Sequence, residues 1–261
     1  FSTTLKDWGW PEYAAPTWIR SHVHHQDLDM TPGPDGTGGD ERILLPTFRI
    51  PTLIHTRSAN SKWLNEISHH HPLWIHPADA EKLGIEESGL VRVTTRIGHF
   101  VISAWRTEGI RPGVVAASHH MGRWRLEEDK ARSWAAGKAN ISNEGTTWKL
   151  RREHGIEPYR SDDPDTGRIW WSDTGVHQNA TFCVQPDPIS GMQCWHQRVR
   201  VGPAQTGDDY GDVVVDTAKS REAYLDWMSK TRPAGTNGTG LRRPLWYARP
   251  LKPVPGAYRL P

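Results

Sequence analysis

The sequence predicts a β-rich α/β fold: a small barrel that carries a long polar insertion and is flanked by extended amino- and carboxy-terminal segments. Three observations lead there. Short apolar runs separated by turn residues fill the stretch from residue 47 to 118. Twenty-four Gly and 20 Pro spread over 261 residues cut the chain into short elements with long ordered loops. Residues 124–174 are strongly polar, with Arg125-Leu126-Glu127-Glu128-Asp129-Lys130 and Arg160-Ser161-Asp162-Asp163-Pro164-Asp165, and read as a surface excursion.

The elements follow in order. Residues 1–45 are mostly irregular, an aromatic and proline-rich lead-in with Trp8, Trp10, Pro11, Tyr13, Pro16 and Trp18. Phe48, Ile50, Leu53 and Ile54 mark a short apolar segment that suits a buried strand, and Leu73-Trp74-Ile75 marks another. Pro77 and Gly84 bracket a two-turn helix, because proline suits the first helical position and glycine the position past the end. Val91, Val93 and Thr95 alternate with Arg92, Thr94 and Arg96, the pattern of a strand with one wet face. A turn at Ile97-Gly98-His99 sends the chain back through residues 100–104 as a hairpin partner. A further turn at Gly109 to Gly113 precedes Val114-Val115-Ala116-Ala117. Strand, helix, strand, turn, strand, turn, strand is a small-barrel pattern. Beyond it, Asp216-Thr217 caps a helix running from Ala218 to about Ser229, with Ala223, Tyr224, Trp227 and Met228 on its apolar face. Residues 203–261 thus form a carboxy-terminal helix and an extended, proline-rich tail.

Composition narrows the function. Lys plus Arg total 32 against 30 Asp plus Glu, a net charge of +2, which lacks the concentrated basic surface of a nucleic-acid binder. No run of 18 apolar residues is present, and Phe1 to Lys6 has no signal-peptide character. Cys183 and Cys194 belong to no C-x-x-C pair, so these residues hold no iron–sulfur cluster, and their redox state stays open. The glycine-rich stretch from Thr31 to Asp40 follows no strand and opens no helix, so it is not a dinucleotide loop. The histidine runs His22-Val23-His24-His25, His69-His70-His71 and His119-His120 lack metal-ligand spacing with carboxylates, and no protein-ligated metal is expected.

Four segments, in this order and spacing, resemble the carboxy-terminal dinucleotide-binding domain of the molybdopterin oxidoreductases, the dimethyl sulfoxide reductase superfamily. They are His55-Thr56-Arg57-Ser58-Ala59-Asn60 and the Pro72 to Ala80 stretch with its hairpin and Ile110-Arg111-Pro112-Gly113. The other two are Ser118-His119-His120-Met121-Gly122-Arg123, and His177-Gln178-Asn179-Ala180-Thr181 with Trp195-His196-Gln197-Arg198. The resemblance covers residues 46 to 202, with the polar insertion 124–174 as its departure. It implies a double-psi β-barrel closing over a bis-molybdopterin guanine dinucleotide that carries molybdenum or tungsten. The implied cofactor-binding residues are His55, Thr56, Arg57, Ser58, Asn60, His119, His120, Gly122, Arg123, Asn179, His196 and Gln197. Their chemistry suits it. Arg57 offers planar charge-assisted donors to pyrophosphate, Thr56 and Ser58 offer neutral ones, and Asn60, Asn179 and Gln197 pair with pterin or guanine edges. Gly122 lets backbone approach a ring closely.

The resemblance also implies what this sequence does not hold. Family catalytic subunits are several times longer, and their [4Fe-4S] motif and metal ligand lie in other parts. The chain is therefore expected to be the last, non-catalytic part of an electron-transferring oxidoreductase. Its partners are the remaining domains or chain of the catalytic subunit, together with a membrane anchor and a ferredoxin-like iron–sulfur subunit, which place the complex at a membrane. A sulfur or arsenic oxyanion is the expected substrate, with formate as the alternative, and a metal-free structural subunit of a respiratory complex as the other reading. The loops at residues 55–60, 118–123, 177–181 and 193–198 should gather at one face of the barrel. Trp8, Trp10, Trp18, Trp246 and Tyr247 should contribute a face that packs on the missing domains.

Overall fold

The computed structural model describes residues 40–55, 61–68, 70–120, 125–126, 139–152, 175–184, 193, 195–229, 231–232 and 243–244. The aromatic lead-in, Cys194, Trp246 and Tyr247 lie outside them. The chain divides into two units. One comprises Asp27–Cys183 with Trp195–Ser220, the other Phe1–Gln26, Val184–Cys194 and Arg221–Pro261. In the latter, the pair β11 (Thr231–Arg232) and β12 (Arg243–Pro244) is described.

The first unit is built on strands β1 (Glu41–Leu45), β2 (Leu73–Ile75), β3 (Leu90–Thr94), β4 (Gly98–Arg106), β5 (Val114–Ala117), β6 (Arg125–Leu126), β7 (Ala139–Glu144), β8 (Thr147–Arg152), β9 (Gln197–Pro203) and β10 (Val213–Asp216). They form one sheet in the order β2-β5-β1-β9-β3-β4-β10-β8-β7-β6, and β2 pairs with β4 as well. That extra pairing closes six strands, β2-β5-β1-β9-β3-β4, into a ring, which removes their free edges. The β1–β5 and β2–β4 pairs are parallel, and the other ring pairs are antiparallel. The interior alternates as the strand period demands: Val91 and Val93 are buried while Arg92 and Thr94 are half-exposed. Leu44, Ile75, Phe100, Ile102, Val115 and Val201 complete the wall-to-wall packing, each burial contributing about 1.5–3 kcal/mol.

The predicted helix appears as α2 (Pro77–Leu83), after α1 (Lys62–Ile67). Pro77 opens α2, and Gly84 closes it with φ 67, a left-handed conformation that glycine adopts without strain. The third helix, α3 (Thr217–Ser229), starts where the Asp216 carboxylate accepts from the Ala218 and Lys219 amides at 2.9 and 3.2 Å.

Three expectations need correction. The run Phe48 to Ile54 is not a strand: Pro46 precedes it and Pro51 interrupts it, both without donors, Leu53 is its one buried residue, and Ile54 is exposed. The lead-in does not stay irregular up to residue 45. Glu41 to Leu45 is β1, alternating half-buried and buried, and is held between β5 and β9 inside the ring. The polar insertion is not wholly an excursion, because β7 and β8 extend the sheet by antiparallel pairing of β8 with β10.

Candidate functional site

Register places four strand ends together. Leu45 lies opposite Ala116, Leu44 opposite Gln197, and Leu73 opposite Ala117. The carboxyl ends of β1 and β5 and the amino ends of β2 and β9 therefore share one end of the barrel. The chain leaving β5 there is Ser118-His119-His120. The His119 and His120 rings stack at 4.6 Å and 30°, and the His55 ring stands 5.2 Å from His119 and 6.3 Å from His120. His55 has φ 48, a left-handed conformation that costs a non-glycine residue about 1–2 kcal/mol. Strain of that kind gathers at functional sites.

A fourth segment joins through hydrogen bonds. The Gln178 carboxamide donates to the Ala117 and Ser118 carbonyls at 3.1 and 2.9 Å. Gln178 opens the 3-10 turn Gln178–Thr181, so Asn179 follows directly and points to solvent. The Thr95 hydroxyl fixes the other end of that turn by donating to the Thr181 carbonyl at 2.5 Å. The structure thus brings His55, His119 and His120 into ring contact and ties Asn179 to them through Gln178. His196 and buried Gln197 enter β9 at the same barrel end. Thr56, Arg57, Ser58, Asn60, Gly122 and Arg123 lie outside the described residues.

Burial favours the neutral form of His119, His120 and His177. Burial lowers His120 to about 4, helped by neighbouring His119, His71 and His55 and by Arg49. Burial also lowers His119, with His55 and Arg49 adding to it, against the carbonyls of Phe48 and Pro46. His177 is lowered to about 4 by burial and His71. A neutral imidazole offers one donor and one acceptor.

Those donors and acceptors are in part unused. Among the described residues, both ring nitrogens of His120, Nδ1 of His119, the Ser118 hydroxyl and the Gln178 amide oxygen are buried with no hydrogen-bond partner. Each such group costs about 1–3 kcal/mol. Native proteins leave few; atoms of this kind occur elsewhere in the fold too, but these five share consecutive residues and their clamp, so a polar ligand edge would offset a concentrated cost. The donor set fits the amide-like edge of a pterin. It does not fit a bare cation: among the described residues no group of three or more His, Cys, Asp or Glu is arranged to hold one.

Sequence reasoning missed His71, Ser118, His177 and Gln178. His71 is fully buried while its neighbour His70 is exposed, a distinction invisible in a run of three identical residues. The only available signal was position: His71 precedes Pro72 at the start of a strand, and Gln178 precedes Asn179. A separate cavity of about 580 Å³ is lined by Ile50, Pro72, Trp74 and Trp105 among others, with none of these site residues.

Residues 43–161 match the family described as the molydopterin dinucleotide binding domain. The chain is 34% identical over 95 residues to the molybdopterin-containing subunit of the arsenate respiratory reductase of Chrysiogenes arsenatis, covering 33% of this chain and 11% of that one. It is 44% identical over 62 residues to the catalytic subunit of a putative dimethyl sulfoxide reductase of Halobacterium salinarum, covering 24% and 7%. It is 38% identical over 80 residues to the alpha subunit of the F420-dependent formate dehydrogenase 1 of Methanococcus maripaludis, covering 30% and 12%. The chain therefore spans about a tenth of the length of these curated relatives. The ligand in that family's description is a molybdopterin dinucleotide. Residues 43–161 thus match a molydopterin dinucleotide binding domain, and parts of the chain are similar to short stretches of molybdopterin-containing and dimethyl sulfoxide reductase catalytic subunits.

Proposed function

We propose that this chain is the cofactor-cradling part of a molybdenum or tungsten bis-pterin oxidoreductase, and that its barrel has the double-psi topology. The observation that carries the reading is the set of buried, unpartnered polar atoms on Ser118, His119, His120 and Gln178 at one barrel end. In this reading His55, His119 and His120 face the pterin edge, Asn179, His196 and Gln197 lie along the dinucleotide, and Thr56, Arg57, Ser58, Asn60, Gly122 and Arg123 complete the cradle. The metal supplies the redox chemistry when the cofactor is bound. The chain's own residues bind, orient and shield from water. The domain arrangement remains a lead-in, a barrel with insertion, and a helical tail.

A sulfur or arsenic oxyanion is the substrate class we favour, on the relative that reduces arsenate. The formate dehydrogenase relative supports formate as a second reading. The partners we infer are the remaining domains of the catalytic subunit, a ferredoxin-like iron–sulfur subunit holding the [4Fe-4S] clusters, and a membrane anchor that sets the location. Trp63 and Ile67 on α1, 72% and 74% exposed, support a surface that meets another domain.

The test is cofactor content in the purified complex. Replacing His120 by Leu fills the space but removes both nitrogens, and pterin per protein, read by fluorescence after oxidation, should fall several-fold. A variant that retains pterin like the parent refutes the site.

A further inference from the structure

Of the two described members of its histidine run, His70 is exposed and His71 is sealed in the fold, with no exposed surface. Both of its ring nitrogens are engaged by backbone. The Val176 amide donates to Nδ1 at 3.1 Å, so Nδ1 carries a lone pair. The ring hydrogen therefore sits on Nε2, which donates to the Ser118 carbonyl. The same carbonyl accepts from the Gln178 amide, so both of its lone pairs are used. One ring thus joins three segments: the entry to β2, the exit from β5, and the loop from Val176 to Gln178.

The sequence supplies a reason for a side chain here. Carrying the β2–β5 register one step past Leu73 and Ala117 sets Pro72 opposite Ser118. Proline has no N–H to offer that carbonyl, and the imidazole of the preceding residue provides a donor in its place. Ser118 is followed at once by the stacked pair His119 and His120, and Gln178 by Asn179. The position of every one of these groups depends on the carbonyl that His71 holds.

We propose that His71 is a positioning residue that fixes Ser118-His119-His120 and Gln178-Asn179 for the cofactor without touching it. This rests on the reading that the barrel end receives the pterin. Its chemistry is that of outer groups that orient the direct contacts of a bound centre, where loss typically costs about 10–100-fold in affinity.

The experiment uses the whole complex carrying His71→Leu, His71→Gln, His120→Leu or His70→Ala, with two readouts: pterin per protein, and hydrogen exchange at the Val176 and Ser118 to His120 amides. Leu fills space without donor or acceptor. Gln offers an amide donor for Ser118 and an oxygen for Val176. His71→Leu should lower pterin about tenfold and speed exchange at Val176, His71→Gln should recover most of both, and exposed His70→Ala should match the parent. Loss of pterin in His120→Leu with full retention in His71→Leu overturns the positioning role and leaves the site standing. Retention in both overturns the site itself, and the positioning role with it. A folded His71→Gln protein that stays as depleted as His71→Leu overturns the donor–acceptor argument, as does a protein that unfolds with either substitution.

Discussion

Replacing Asp79 by Ala should destabilise the barrel by about 3 kcal/mol. Asp79 stands in the first turn of α2, and its carboxylate has two partners. Arg42 Nη2 on β1 donates to Oδ1 at 2.9 Å, and the Gly113 amide, one residue before β5, donates to Oδ2 at 2.7 Å. The Arg42 side chain is 5% exposed and that of Asp79 13%, so water replaces little of what is lost. Removing one member of a buried pair costs about 3–5 kcal/mol, because the other charge stays desolvated. Arg42 keeps a bond to the Glu41 carbonyl at 2.7 Å, which argues for the lower end. For a domain of this size each kcal/mol moves the melting temperature by about 2–4 °C, so Tm should drop by about 6–12 °C. Urea unfolding followed by tryptophan fluorescence checks it, with an unchanged m-value reporting that the unfolded state is unaltered. The double replacement Arg42→Met with Asp79→Leu should cost much less than the sum of the single changes, since an apolar pair leaves no stranded charge. The consequence reaches the site, because this carboxylate ties together β1 and β5, the parallel strands from which the chain runs on to His55 and to His119. A loss below about 1 kcal/mol, or strict additivity in the double variant, refutes the reasoning.

Acid should loosen the same barrel. His120, His177 and His99 are each lowered to about 4, so the unfolded chain binds protons that the fold refuses; stability is complete above pH 6.5 and declines as pH falls toward 4. Urea midpoints measured from pH 7.5 to 4.5 should fall through that window, and a flat profile sinks the assignment. Gly98→Ala should abolish soluble expression or cost more than about 3 kcal/mol, because a Cβ there would overlap the Val214 carbonyl across the β4–β10 pair. Circular dichroism and melting of any soluble product measure it, and a parent-like Tm disproves the close approach. Cys183 should resist alkylation in the native protein at pH 8, since burial raises its thiol to about 11. Labelling of Cys183 by iodoacetamide at the rate seen in urea, mapped by peptide mass, would contradict that.

Local signals in the sequence determined the parts of this protein whose causes are local. Pro77 and Gly84 bound α2 wherever the helix packs, and the Val91-Val93 alternation with its hairpin return produces β3 and β4 without reference to distant residues. The order of four donor-rich segments carried the resemblance to a known family, and that resemblance named His55, His119 and His120 as candidates. Barrel closure decided the rest. β1 contains two charged residues in five, and it is a strand because β5 and β9, some 70 and 155 residues later in the chain, supply its hydrogen bonds and an ion pair from Arg198 to Glu41. β8 was hidden in a polar stretch, although Trp148 and Leu150 alternate with Lys149 and Arg151 past the turn at Gly145, because one half-buried face is a weak signal until β10 pairs with it. Between the neighbours His70 and His71, the long-range meeting of β2, β5 and the Val176 loop selects His71, giving its ring a carbonyl on one side and an amide on the other. Sequence period fixes which way a side chain faces, but which backbone it meets is set by strands distant in the chain.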